Sequence, residues 1–302
     1  MTSIVICLRQ IVVLLSILIV SWPFTACSGG GDDDQPPTTP DGEWIAPELP
    51  VRIEGANLHY VTHYAPVADK SLGGVMVDKR NFSLCFDRSK RAALWVAYPL
   101  HASYMGSSPR PNEPWTYDPK LESSWQANLA RGSYNGAPVR GHQIPNADRN
   151  AHTTMQRQTF YNSNATPQDY SLNGGGWMRL ESKIRSWACS DTIYVVTGAF
   201  WAEGYSTTTD KSGNVCPIPT HYYKVLARTR LGNVRKKGDQ LGSYPASELQ
   251  TIGFWVANKS GQGEAKAWVK SVEEIEALTG QRFFPTLPYE AKKQKNALQW
   301  GL

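Results

Sequence analysis

Cysteine, histidine and long apolar runs are all scarce in this sequence, and each scarcity closes off a class of protein. Five of the 302 residues are cysteine and six are histidine, and they nowhere fall into the paired spacing of a structural zinc site. The longest apolar run, at 11–20, has ten residues, too short for a bilayer-crossing helix, which takes about 20. Charged residues make up only 19% of the chain and leave a formal net charge of +5. That mild basic balance suits a polyanionic partner without demanding one. There is no internal repeat and no second linker.

What is present begins with that short run. Arg9 flanks it, and Phe24-Thr25-Ala26-Cys27 places small residues ahead of a cysteine. The pattern is that of a signal peptide over 1–26 ending in a lipoprotein cleavage box, so Cys27 is the expected lipidation site and first mature residue. A Gly/Asp stretch and then Pro and Thr lead on to residue 45, a composition that cannot bury apolar area and reads as a tether. Directly behind a lipidated cysteine, it resembles the surface-export signal of Bacteroidetes lipoproteins. The expected location is therefore the bacterial outer membrane, at the cell surface or on its periplasmic face. Removing 1–26 leaves 276 residues and, because Arg9 is the only charge lost, a net charge of +4. Residues 46–302 are expected to form one domain.

The mature cysteines beyond Cys27 are Cys85, Cys189 and Cys216. Cys85 lies in the apolar run Phe82–Phe86 and is expected to be buried and reduced. Cys189 and Cys216 flank a proposed strand pair and are expected to form one disulfide in an exported protein.

Residues 57–64, 81–86 and 92–98 mix β-branched and aromatic residues and predict strands, the last two joined by a polar turn as an antiparallel hairpin. Thr192–Trp201, Tyr222–Ala227 and Gly253–Asn258 predict three more that pair in a central sheet. Ser271-Val272-Glu273-Glu274 is a capping box opening a helix that ends at Gly280. The run from Arg228 to Lys237 reads as a basic, solvated turn, and Lys292, Lys293 and Lys295 as solvated. Met105–Asn135 is a long loop rich in Ser, Pro, Gly and Asn, and such loops inside compact domains tend to be functional. His59, His63 and His101 read as structural.

The chemistry concentrates between Pro138 and Arg185. Arg140-Gly141-His142 brings a cation and a base off the backbone together, with Gly141 permitting close approach to a ligand. Asn164-Ala165-Thr166-Pro167-Gln168 reads as a turn, after a strand at Gln158–Asn162, and Asn173-Gly174-Gly175-Gly176 opens a helix to about Ala188. Asn173 and Glu181 offer oxygens to a hard cation. Eight residues separate them, about 12 Å of rise on an ideal helix, so both cannot ligate directly unless the glycines make the start irregular. Glu181 and Arg185 are placed for an i,i+4 pair.

These motifs, with Leu94–Tyr98, Tyr194–Gly198, Tyr222–Val225 and Val272–Glu276 in order around them, resemble the DNA/RNA non-specific endonucleases, whose site is a ββα-metal (His-Me) finger. The resemblance runs from about His59 to about Pro285. It implies an α+β fold with a mixed, mainly antiparallel central sheet, flanking helices and the finger as active site. It implies Mg²⁺-dependent, sequence-nonspecific hydrolysis of DNA and/or RNA, Mn²⁺ or another divalent ion being an alternative. In this likeness His142 is the general base, Asn173 the metal ligand with Glu181 acting through water, and Asn164 orients the base or its water. Arg140 and Arg185 neutralise phosphate. Two places depart from the family pattern: Val139 stands where an aspartate is usual, and the residue before Trp115 is not the usual arginine, for which Arg110 is the nearest candidate. A reading of another class is a surface lipoprotein that binds nucleic acid or glycan through its Trp and Tyr without cleaving it, held to the membrane by its lipid.

Overall fold

The computed structural model describes residues 46–302 apart from 70–72, 113–114, 189–190 and 231–239. The signal peptide, the tether with Cys27, Cys189, the residue before Trp115 and most of the basic turn lie outside the described residues. Among the described residues no helix is long and apolar enough to cross a membrane.

Seven strands form one sheet in the order β1-β2-β3-β6-β9-β10-β11, and every pair is antiparallel. They are β1 (Leu58–Asp69), β2 (Val75–Asp87), β3 (Ala92–Leu100), β6 (Ile193–Phe200), β9 (His221–Thr229), β10 (Leu249–Ala257) and β11 (Val269–Lys270). Between β3 and β6 come β4 (Val139–His142), α1 (Thr153–Gln158), β5 (Ala165–Gln168), α2 (Tyr170–Leu172) and α3 (Met178–Ser186). Later come the small hairpin β7 (Thr207–Thr209) and β8 (Val215–Pro217), then α4 (Val272–Thr279) and α5 (Tyr289–Lys292).

The sheet is buried on both faces, and strand periodicity sorts its side chains. Along β6, Ile193 and Val195 pack into the cluster with Trp177, Leu180 and Ile184 of the finger helix. Tyr194 and Val196 pack into the other, with Ile275 of α4, Phe283 and Ala291 of α5. This explains why the central strands read as nearly continuous apolar runs. Helix α4 carries the expected capping box between Ser271 and Glu274 and ends at Gly280, whose φ of 72° is the left-handed conformation of a helix stop.

Three expectations are corrected. Lys292 is buried, and its Nζ donates to Glu276 Oε1 at 3.0 Å, because α5 packs onto the sheet and the lysine can only bury as a paired charge. Cys216 is a free thiol rather than half of a disulfide with Cys189. It is buried on β8 among Trp115, Leu129, Tyr134 and Phe160, its Sγ–H directed at the Asn214 carbonyl, and burial pushes it up to about 12. Residues 158–162 are not a strand: the second finger strand is β5, seven residues later than expected. Pro167 disguised it as a turn, yet β4 and β5 form an isolated two-stranded ribbon, where a proline is tolerated.

Candidate active site

The β4–β5 ribbon sets His142 opposite Ala165 and Gly141 opposite Thr166. A side chain at Gly141 would place its Cβ 2.2 Å from Gln168 Oε1. The glycine is thus required by the partner strand's own buried glutamine, and the expected close approach to a ligand is a close approach to Gln168.

The His142 ring lies 4.6 Å from Trp115 and 4.9 Å, edge-on, from Phe160. Each of these aromatics carries a cation: the Arg140 guanidinium is 5.3 Å from the Trp115 ring and that of Arg110 is 5.1 Å from Phe160. Burial, and then the charges of Arg110 and Arg140, hold His142 down at about 3. The imidazole is therefore neutral across the physiological range, as a base must be before it takes a proton. Its Nε2 is buried and has no hydrogen-bond partner. A buried nitrogen left open in this way is where a water or a ligand oxygen belongs. Arg110, over the Phe160 ring, lies near enough to the base for its charge to act on it.

The same shift governs acid stability. Between the ordinary histidine value of 6.5 and the folded value of about 3, the unfolded chain binds a proton that the folded protein refuses, so stability falls as pH drops through that window. His142→Asn removes this contribution. Melting temperature measured from pH 7 downward is expected to fall less steeply in the variant, and parallel curves would count against the buried neutral histidine. Glu181, which shifts the other way, is common to both proteins and cancels in the difference.

Asn164 is buried and bonded to the backbone around the base. Its Oδ1 accepts from Ile144 N at 3.0 Å, and its Nδ2 donates to the carbonyls of Ile144 at 3.0 Å and Thr159 at 2.8 Å. These bonds clamp the chain just after His142, so Asn164 positions the base through the backbone.

The finger helix starts earlier than Asn173 and starts irregularly. Asp169 caps it, accepting from Leu172 N at 2.8 Å. Asn173–Trp177 is then a π-helical turn, with Gly175 at φ −109° and ψ −114°, before α3 resumes. Gly176 touches a neighbour so closely that a Cβ would sit 2.6 Å from the Trp268 ring. Single π turns often mark functional sites. The Asn173 side chain is half-exposed at its start.

Below this turn lies a buried ionic group that the sequence reading missed. Lys224 is 0% exposed. Alternation along β9 puts it on the same face as Tyr222 and Leu226, towards the finger helix. Its Nζ donates to Thr197 Oγ1 at 2.9 Å and sits 4.7 Å from the Trp177 ring. Glu181 faces it. Burial raises the Glu181 carboxyl and lowers the Lys224 ammonium, while each partner's opposite charge pulls the other back. The expected i,i+4 pair gives way to a longer-range one. Arg185 Nη1 donates to Asp148 Oδ1 at 3.0 Å and its Nη2 to Ser182 Oγ at 2.9 Å, because Asp148 is buried beneath α3 and needs a counter-charge. Tyr98 donates to the other Asp148 oxygen at 2.9 Å. Arg185 thus supports the site from behind. Lysine in a strand otherwise buried on both faces was the available signal for Lys224; nothing local marks Asp148.

Residues 61–290 match the DNA/RNA non-specific endonuclease family. The chain belongs to that family. Among relatives, it is 28% identical over 220 residues to the mitochondrial nuclease EXOG of Xenopus laevis, covering 68% of this chain and 57% of that protein. It is 31% identical over 215 residues to nuclease C1 of Cunninghamella echinulata var. echinulata, covering 67% and 81%. It is 28% identical to human mitochondrial endonuclease G over 219 residues, 69% of each chain. The match thus spans little more than half the length of the EXOG nucleases. In fold, the solved EndoG/EndoGI complex superposes with a TM-score of 0.53 at 21% identity, covering 69% of this chain and 84% of that one.

The oxygens available near the π turn are those a hard, largely hydrated cation would accept. Among the described residues no group of three or more His, Cys, Asp or Glu is placed to hold a metal ion. Asn173 is half-exposed at the start of the π turn, and Glu181 follows eight residues later on α3.

Proposed function

We propose that this protein is a divalent-metal-dependent endonuclease that hydrolyses phosphodiester bonds of DNA and/or RNA without reading base sequence. The observation that carries the reading is His142: neutral, with an open buried nitrogen, between aromatics that each hold an arginine. A phosphodiester resists attack because its charge repels nucleophiles, so hydrolysis needs a base for water and positive charge around the phosphate. His142 takes the proton from the attacking water. Arg140 and Arg110 meet the phosphate, and its negative charge offsets the repulsion that depresses His142, raising the base towards useful strength once substrate is in place. Glu181 holds solvent beside Asn173, while Lys224, Arg185 and Asp148 fix the helix from below. Asn173 would hold Mg²⁺, or Mn²⁺ in its place, which when bound would supply positive charge against the phosphate and acidify water that could protonate the leaving 3′-oxygen. All these contacts are to phosphate or solvent and carry no base information.

Nicking of supercoiled plasmid with Mg²⁺, abolished by chelator, is the direct test. A protein that retains plasmid but leaves it intact in both conditions is instead a non-cleaving binder. Asn173→Ala is expected to lose activity and to regain part of it as Mg²⁺ is raised, because affinity rather than the base has been removed. Identical deficits at low and high Mg²⁺ would remove Asn173 from the metal site.

We also read residues 1–45 as a lipoprotein signal and surface tether, placing the nuclease on the bacterial outer membrane through Cys27. Cys27→Ser is expected to release it from membrane fractions, and retention there would end the reading.

A further inference from the structure

A recess lies at the β1 edge of the sheet, and His142 is not among its lining residues. Its volume is about 670 Å³, and it sits between the start of β1 and the loop at 119–125. Alternation along β1 turns His59, Val61 and His63 to one face: Val61 and Leu121 join the core cluster of the finger helix, and His63 Nε2 pairs with Asp118 Oδ2 at 2.9 Å. None of the residues lining the recess takes part in the machinery described above.

Its lining has a specific chemistry. Trp125 stacks on the His59 ring at 4.2 Å, with 28° between the planes, and both line the recess. His59 Nε2 is buried without a hydrogen-bond partner, so the recess holds an open nitrogen that a ligand or water should meet. Arg52 lies 5.1 Å from the Tyr60 ring at the rim, and Lys120, whose Nζ donates to the Thr62 carbonyl at 2.7 Å, brings a second positive charge. Glu122 is the acid among the lining residues. An aromatic stack beside two cations is the arrangement that takes a planar, anionic group: base against ring and phosphate against charge.

The recess is tied mechanically to the base. Trp115 against His142 and Trp125 in the recess belong to one loop, ten residues apart. Midway along it, Asp118 also accepts from Ser163 Oγ at 2.6 Å, and Ser163 precedes the Asn164 clamp.

We propose that this recess is a nucleotide subsite, holding one nucleotide of a single-stranded segment beyond the scissile phosphate, its base on Trp125 and its phosphate between Arg52 and Lys120. The proposal rests on the nuclease reading for its ligand, and its test reads binding as well as turnover. Isothermal titration with adenosine 5′-monophosphate and with a single-stranded oligonucleotide, both in chelator, would be run on the full chain, on Arg52→Gln/Lys120→Gln and on Trp125→Leu. The charge variant alters exposed side chains and leaves the fold intact if Trp125→Leu does not. Both variants are expected to bind about 10-fold more weakly or worse, the scale of losing one stacked base or its phosphate contacts. With Mg²⁺, the KM for long single strands should rise while kcat, and the KM for a dinucleotide too short to reach the recess, stay unchanged. Wild-type affinity in the charge variant, equal competition by tripolyphosphate and mononucleotide, or a KM rise on the dinucleotide as well would each overturn the subsite. A protein that binds nucleotide here but never cleaves would instead leave the subsite standing and fail the nuclease.

Discussion

His142→Ala is expected to lower the rate of plasmid cleavage by about 10²-fold or more, the usual scale for losing a general base. The reason is local. His142 presents an uncharged, unpartnered nitrogen near Arg140 and Arg110, and burial with those two charges lowers its pKa to about 3, so it is deprotonated at any higher pH. Removing it leaves Asn173 and the π turn in place, so the Mg²⁺ concentration for half-maximal residual activity should match the parent. Raising Mg²⁺ should not rescue the variant, in contrast to Asn173→Ala. The assignment would be falsified if His142→Ala cut at the parent rate, or if high Mg²⁺ restored both variants alike.

The largest stability effect is expected at Arg149, far from any substrate contact. Arg149 is 0% exposed. Its Nε donates to Asn81 Oδ1 at 2.7 Å, Nη1 to the Asp148 carbonyl at 2.7 Å, and Nη2 to the carbonyls of Asn81 at 2.9 Å and Pro99 at 2.8 Å. The guanidinium lies 5.0 Å from the Tyr98 ring and 4.3 Å from that of Tyr104. It joins β2, β3 and the segment after His142 in one point. Arg149→Met keeps the stem but orphans these buried acceptors, so we expect a loss of about 3–5 kcal/mol in chemical denaturation, the scale of breaking a buried charged network. Arg149→Lys should recover little, since an ammonium cannot reproduce the planar fork. A loss below about 1 kcal/mol for Arg149→Met would mean that the four acceptors find other donors.

Much of this was legible in the sequence, for identifiable reasons. The strands at β2, β3, β6, β9 and β10 announce themselves by β-branched and aromatic runs, and α4 by a cap that is satisfied as written. His142, Arg140 and Asn173 stand out because unusual residues adjoin one another in the chain. The parts that were not legible depend on partners distant in sequence. Arg185 could not be assigned to Asp148, 37 residues away, when a helical partner stood four residues off. Asn164 looked like a free amide until the carbonyls of Ile144 and Thr159 were folded against it. Lys224 lay unremarked within a predicted strand because its partners, Thr197 and Trp177, come from elements distant in sequence. Pro167 hid a strand since a two-stranded ribbon forgives what a central sheet would not.

The π turn at Asn173–Trp177 has a consequence in azimuth. Such a turn holds one residue more than the α-helical turn it replaces, and each added residue rotates the remainder of the helix by about 100° around its axis. The glycine run therefore works as an angular shim. Its length sets the direction in which Leu180, Glu181 and Ile184 leave the helix, so that the carboxyl comes round to Lys224 while its apolar neighbours still meet the sheet. Deleting any one glycine would keep every functional side chain of the finger helix and aim those after the deletion wrongly. A chain can thus retain the whole motif, letter for letter downstream, and still lose the site through a change of one in its count.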